Sequence, residues 1–227
     1  MPTPEHNIAV VKQRIANACS HYDRSNNSVI LLAVSKTRDI NTIRAYYDAG
    51  LRCFGENYLS EALAKMPLLP ADIEWHFIGP IQSNKTRAIA SHFAWVHSIE
   101  RSKIARRLSE HRPPQMAPLN CLIQVNISDD PNKSGIAPQQ LEPLARELLT
   151  LPGLRLRGLM AIPKAGQNEQ QLENDFASMA QLLRQLQAFC TDADTLSLGM
   201  SADLELAIKH GSTLVRIGTD LFGARPT

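Results

Sequence analysis

Lys36 stands just past an apolar run, Val29-Ile30-Leu31-Leu32-Ala33-Val34. At the end of such a strand, desolvation disfavours an ammonium and lowers its pKa, leaving an amine that can attack a carbonyl and form a Schiff base. The same position also suits a rim lysine whose head reaches solvent. Two further segments could hold an anion. Gly199-Met200-Ser201 and Gly218-Thr219 combine glycines, which admit a close backbone approach, with the hydroxyls of Ser201 and Thr219 and nearby amide donors. Ordinary turn glycines with capping hydroxyls would read the same way. Asp203 and Glu205 open the next helix, so an anion is expected beside Ser201 and no deeper. Arg216, two residues before Gly218, shares its strand face, and a guanidinium pointing inward needs a partner. A phosphate, an aromatic ring nitrogen or a carboxylate such as Glu56 or Glu74 would serve. Asn57, His76, Asn84 and Asn126 are polar groups near other strand ends, with His76 read as a hydrogen-bonded wall residue. Lys133-Ser134-Gly135 and Lys85-Thr86-Arg87 read as solvated loop segments.

These residues need a scaffold that gathers strand ends. Eight apolar or β-branched runs are expected as strands: 29–34, 52–55, 74–79, 94–98, 120–126, 155–162, 195–199 and 213–218. Most are apolar throughout instead of alternating, as parallel strands covered on both faces are. Amphipathic stretches lie between them. Asp39 can cap a helix with Ile40, Ile43 and Tyr47 on its apolar face, closed by Gly50. Phe176, Met179, Leu183, Leu186 and Phe189 form a stripe at helical spacing. Asp203 opens a helix carrying Leu204 and Ile208 that Gly211 ends, and Pro67 to Pro70 and Pro113-Pro114 mark loops. Alternating β and α units imply a parallel sheet, doubly wound or closed. Eight units in about 200 residues favour the α/β class as one (β/α)8 TIM-type barrel spanning 1–227. Too little chain follows the eighth strand for a closing helix, so an N-terminal helix with Ile8, Val11, Ile15 and Ala18 on one face is expected to cover that side.

Composition excludes several functions. Of 227 residues, 44% are apolar and 20% charged, and the net charge is 24 − 22 = +2. That is a globular mixture with no basic stripe for nucleic acid and no acidic tail. No run reaches the roughly 18 apolar residues of a membrane span, and Met1-Pro2-Thr3-Pro4 does not open a signal peptide. Cys19, Cys53, Cys121 and Cys190 are far apart with no His at ligand spacing. They read as buried or free thiols in a reducing cytoplasm, with neither a disulfide frame nor a metal site.

An amine, an anion cup and an interior arginine on one rim resemble a pyridoxal phosphate site. The words of the sequence carry the resemblance further. Leu31-Leu32-Ala33-Val34-Ser35-Lys36-Thr37, Phe54-Gly55-Glu56-Asn57-Tyr58 and Trp75-His76-Phe77-Ile78-Gly79-Pro80 are similar to the pyridoxal phosphate homeostasis protein family, related to the barrel domain of alanine racemase. So are Gly158-Leu159-Met160-Ala161-Ile162-Pro163, Ser197-Leu198-Gly199-Met200-Ser201-Ala202-Asp203 and Val215-Arg216-Ile217-Gly218-Thr219. The resemblance runs from Val29 to Gly223. It implies a barrel like those of fold type III pyridoxal phosphate proteins, with pyridoxal 5'-phosphate as a Schiff base on Lys36. It carries the phosphate to Ser201, Gly218 and Thr219, the pyridine nitrogen to Arg216, and the ring pocket to Asn57 and Met160. Arg38-Asp39 stands where the family often has Lys-Pro, away from the site.

Activity then turns on Arg216. A guanidinium only donates, so a pyridine nitrogen facing it stays largely unprotonated and is a poorer electron sink. Racemases with such an arginine draw a second acid–base group from another domain, which this sequence is not expected to build. The expectation is therefore a monomeric cytoplasmic protein that binds, buffers and delivers the cofactor, touching apo-enzymes transiently, with no catalytic residue. One rival is a racemase or decarboxylase using Lys36 with Tyr58 or His76. Another is a cofactor-free aldolase using Lys36 on a sugar phosphate.

Overall fold

The computed structural model describes residues 3–224; Met1, Pro2 and Arg225 to Thr227, and with them the end of the tail, lie outside the described residues. Eight parallel strands, β1 (Ile30–Val34), β2 (Cys53–Glu56), β3 (Glu74–Phe77), β4 (Trp95–Ile99), β5 (Leu119–Gln124), β6 (Leu154–Met160), β7 (Thr195–Ser197) and β8 (Leu214–Ile217), close into a barrel in chain order. Closure is made by β1 against β8, with Leu32 opposite Arg216 and Ala33 opposite Ile217. The doubly wound alternative is thereby set aside. Around the barrel run α1 (Pro4–His21), α2 (Ile40–Asp48), α3 (Leu59–Lys65), α4 (Thr86–His92), α5 (Ser102–His111), α6 (Leu141–Leu148), α7 (Glu169–Gln187), α8 (Leu204–Lys209) and the single turn α9 (Thr219–Phe222).

The outward face of the strands is largely apolar because the helices bury it, while the lumen face mixes apolar and polar side chains. Outward residues such as Ala33, Val215 and Ile217 join one core with the helices. Trp95, Leu122 and Met160 form a separate cluster in the lumen. Ile8, Val11, Ile15 and Ala18 are all buried on α1, which packs against α8, α9 and α2. The N-terminal helix therefore covers the barrel's flank beside β8, as expected. Arg14 fastens it, with Nε 2.7 Å from Glu205 and Nη1 2.5 Å from Asp220.

Two helical faces differ from expectation in detail. Asp39 does cap α2, accepting from the Thr42 amide at 2.8 Å, but Ile43 and Tyr46 are buried where Tyr47 was expected. The Tyr46 hydroxyl donates to the Leu221 carbonyl of the closing turn, while Tyr47 turns outward beneath Arg52. On α7, Phe176, Met179, Leu183 and Leu186 are buried as the stripe predicts, and Leu182 joins them. Phe189 lies past the helix end and is covered only in part, under Arg146. Pro67 sits inside a short 3-10 turn, Met66–Leu68, before the loop proper begins.

Candidate functional site

The strands' C-terminal ends open into a pocket of about 320 Å³ lined by Lys36, Asn57, Met160, Ser201, Arg216, Gly218 and Thr219 together with Val34, Ile78, Ile162 and Met200. All seven residues singled out from the sequence meet in this one cavity, and its volume suits a small ligand.

Lys36 lies two residues beyond the last residue of β1, in a turn and half-buried, not within the strand itself. That turn is held from behind. Ser35 is fully buried and its hydroxyl donates to Glu56 Oε1 at 2.7 Å. On its other side the Thr37 amide donates to Glu61 Oε1 at 2.6 Å. Thr37 adopts φ 63°, a conformation that costs a β-branched residue energy and persists only where neighbours enforce it. Lys65, buried on α3, ties these groups together, donating to the Ser35 carbonyl, to Glu56 and to Glu61. Burial pushes the Glu56 carboxyl up, against the pull of the Lys65 charge and the Ser35 hydroxyl. Lys65 was not singled out from the sequence. Its i, i+4 relation to Glu61 was the available signal.

Arg216 is buried and points into the lumen from β8. Its partner is neither Glu56 nor Glu74, the carboxylates considered from the sequence. Nη1 donates to both the carbonyl and the hydroxyl of Ser197 at 2.7 Å each, and Nη2 donates to the Ala161 carbonyl at 2.8 Å. Burial lowers the guanidinium to about 10, so it stays charged at neutral pH. The described bonds occupy three of its five donors. Ser197 was missed by the sequence reading, although alternation along Thr195, Ser197 and Gly199 places it on one face of β7.

At the opposite wall Ser201 Oγ accepts from the Asp220 amide at 3.3 Å. Asp203 and Glu205 are both engaged elsewhere. Asp203 accepts from the Met200 amide at 2.5 Å, and burial pushes its carboxyl up. Glu205 is turned out to Arg14. Gly218 has φ −115°, which any residue tolerates, and an added Cβ would come no nearer than 3.5 Å to the Val34 carbonyl. The backbone therefore does not need glycine there; the missing side chain leaves room. Asn57 contributes a buried Oδ1 with no hydrogen-bond partner among the described residues. Its backbone is crowded by Gly79, where a Cβ would lie 2.1 Å from the Asn57 carbonyl, so only glycine lets the chain after β3 pass.

Other candidates fall outside the pocket. His76 is buried between β2 and β4 and hydrogen-bonded to His97 and Glu74, a wall residue that is not solitary. Tyr58 is exposed and lines a neighbouring groove with Lys85. Neither lines the pocket that holds Lys36. Asn126 braces its own loop through Asp130, and Asn84 lies in a short turn at Ser83–Lys85. Lys133 is less solvated than expected, donating to the Pro163 carbonyl at 2.8 Å. Cys19, Cys121 and Cys190 are buried free thiols and Cys53 is partly covered. Cys53, Glu74 and His76, distant in spacing, bring their polar atoms within 4.8 Å of one another across β2 and β3.

The alanine racemase N-terminal domain family matches residues 5–226. A pyridoxal phosphate homeostasis protein of Pseudomonas aeruginosa is 54% identical over 226 residues, covering 99% of this chain and 97% of that protein. This chain belongs to the pyridoxal phosphate homeostasis protein family. Among solved structures of similar proteins, PipY of Synechococcus elongatus, with PLP bound, is 36% identical at a TM-score of 0.80, covering 92% of this chain and 100% of that one. Alanine racemase of Corynebacterium glutamicum shares the fold at a TM-score of 0.72 and 15% identity, with this chain spanning 62% of its length. No described helix is long and apolar enough to cross a membrane.

Proposed function

We propose that this family member holds pyridoxal 5'-phosphate at the pocket mouth and serves to buffer and deliver it, with no robust turnover of its own. The observation that carries the reading is the meeting of an amine, a guanidinium and a glycine–hydroxyl wall in one cavity of about 320 Å³. These residues fit the cofactor. The space that a Cβ at Gly218 would fill is where a phosphate can approach, beside the hydroxyls of Ser201 and Thr219. The unpartnered Asn57 Oδ1 offers an acceptor on the ring side. When bound, the group supplies an aldehyde for covalent attachment, a phosphate and a pyridine nitrogen. Lys36 would hold the group through its aldehyde, a linkage made with loss of water and undone by water, and so would be a reversible hold. Arg216 would hold the ring nitrogen, and Met160 would line the ring's side of the pocket.

The same residues argue for a carrier. Arg216 cannot hand over a proton at neutral pH, so it does little to make the ring an electron sink. The proposal extends to one domain over the whole chain, a monomer in the cytoplasm, with transient contacts to apo-enzymes and none to nucleic acid. Two assays separate this reading from its rivals. A visible absorption band should grow on adding pyridoxal 5'-phosphate to wild type and be absent in Lys36→Ala, and the loaded protein should activate an apo-enzyme. Rapid racemisation or decarboxylation of single amino acids by the loaded protein would defeat the carrier reading.

A further inference from the structure

Beneath the pocket the barrel lumen carries a line of polar side chains that runs from the site's Arg216 to Glu74 at the far end. His76 on β3 donates or accepts at both ring nitrogens, 3.0 Å from Glu74 Oε1 and 2.9 Å from His97 Nε2. His97 on β4 reaches across the lumen, its Nδ1 3.2 Å from the hydroxyl of Ser197 on β7. Ser197 in turn meets Arg216 on β8 at 2.7 Å. Trp95 stacks flat on His76, 5.4 Å between centroids and 5° between planes, fixing that ring.

The two ends of the line dictate its direction. A guanidinium only donates and a carboxylate only accepts. Burial pushes both histidines below their usual value, His97 well below, so each ring carries one N–H at neutral pH. Glu74 is held below the carboxylate norm, first by its hydrogen bond from His76, and is ionised. One arrangement then satisfies every link. Arg216 Nη1 donates to Ser197 Oγ, Ser197 Oγ–H to His97 Nδ1, His97 Nε2–H to His76 Nδ1, and His76 Nε2–H to Glu74. The hydroxyl of Ser197 can offer Arg216 a lone pair because His97 takes its proton. Without His97 that proton is released to swing toward the guanidinium, donor against donor.

We propose that Ser197 and His97 are positioning residues for Arg216, and that through them the lumen selects a ligand ring bearing an acceptor nitrogen over the same ring with a C–H in that place. This rests on the cofactor reading above, since it specifies how Arg216 recognises the ring. His76 and Glu74 complete the line by fixing the tautomer of His97. Without the Ser197 hydroxyl, the guanidinium keeps only two backbone acceptors, the Ser197 carbonyl at Nη1 and the Ala161 carbonyl at Nη2, and loses the one side-chain contact that links it to His97.

The test is a pair of absorption titrations, with pyridoxal 5'-phosphate and with its deaza analogue, which keeps the aldehyde and phosphate but replaces the ring nitrogen by C–H. Wild type should prefer the pyridine by about tenfold or more, the discrimination expected of one hydrogen bond from a charged donor. Ser197→Ala and His97→Leu should shrink that preference to about threefold or less while leaving affinity for the deaza ring unchanged. His97→Gln, whose amide both accepts and donates, should restore most of it. A merely structural role would weaken both ligands together and leave the ratio intact, so an unchanged ratio in Ser197→Ala and His97→Leu overturns the proposal. Should His97→Leu fail to fold, Ser197→Ala decides alone, its small truncation being checked by a thermal melt. Equal affinity of wild type for the two rings also overturns it, whereas failure of wild type to bind either ring defeats the cofactor reading instead.

Discussion

Lys65 Nζ lies 3.0 Å from Glu56 Oε1 in a buried ion pair, and it also donates to the Ser35 carbonyl, one residue before Lys36. The turn presenting the proposed attachment point thus hangs on charges with almost no solvent contact. Removing one partner of such a pair leaves the other buried and uncompensated. Lys65→Met is expected to cost about 3–5 kcal/mol of stability in urea unfolding, and adding Glu56→Leu should recover much of that loss. A single variant as stable as wild type would show that the pair does not hold the turn.

Gly218 gives the opposite kind of test. A Cβ there meets only ordinary contacts in the protein itself, so Gly218→Ala should melt within about 0.5 kcal/mol of wild type. If a phosphate occupies that space, affinity for pyridoxal 5'-phosphate should fall tenfold or more, on the order of 1.4 kcal/mol. Equal affinity would move the phosphate elsewhere in the pocket.

The barrel lumen makes stability depend on pH with a definite sign. His76 and His97 have folded values below the unfolded 6.5, so the unfolded chain binds more protons in acid. Their contribution is complete above pH 6.5 and is lost as pH falls from there toward the folded values. The slope reaches about 1.4 kcal/mol per pH unit for each histidine that remains neutral in the fold. Glu56, pushed up by burial, acts with the opposite sign, contributing most in acid and less as pH rises through its folded value. The comparison is therefore between variants: from pH 7.5 to 5.5, wild type should lose more stability in urea than His97→Gln does. Parallel losses would mean that His97 is not held neutral.

Much of this was legible in the chain. Eight apolar runs with amphipathic stretches between them pointed to a parallel sheet, and their number favoured a closed barrel, because parallel strands covered on both faces read as largely apolar. The apolar face of α1 foretold the covering helix. The pocket residues were legible because they sit at strand C-termini, where this fold brings chain-distant positions together. What escaped was lateral. The partners of Arg216 and the meeting of His76 with His97 depend on the register between neighbouring strands, and that of His97 with Ser197 on which strands face each other across the lumen; no local spacing encodes either. Tyr46 displaced Tyr47 for a similar reason, since its contacts are all long-range: its hydroxyl meets the Leu221 carbonyl and the Asn7 side-chain amide, and its ring meets Phe222.

Arg216→Leu should separate structure from recognition only partly. It strips the charged donor from the Ser197 and Ala161 carbonyls, at about 1–3 kcal/mol for each buried acceptor left without a partner. Unfolding in urea should show that loss in the absence of any ligand. No loss would mean that water satisfies both carbonyls.

The most direct test of the central claim is to add pyridoxal 5'-phosphate to the purified protein, reduce with borohydride, digest, and locate the modified peptide by mass spectrometry. The account predicts one stoichiometric modification, on Lys36, that disappears in Lys36→Ala while the variant stays folded. Modification spread over surface lysines, or fixed on another lysine with Lys36 untouched, would contradict it.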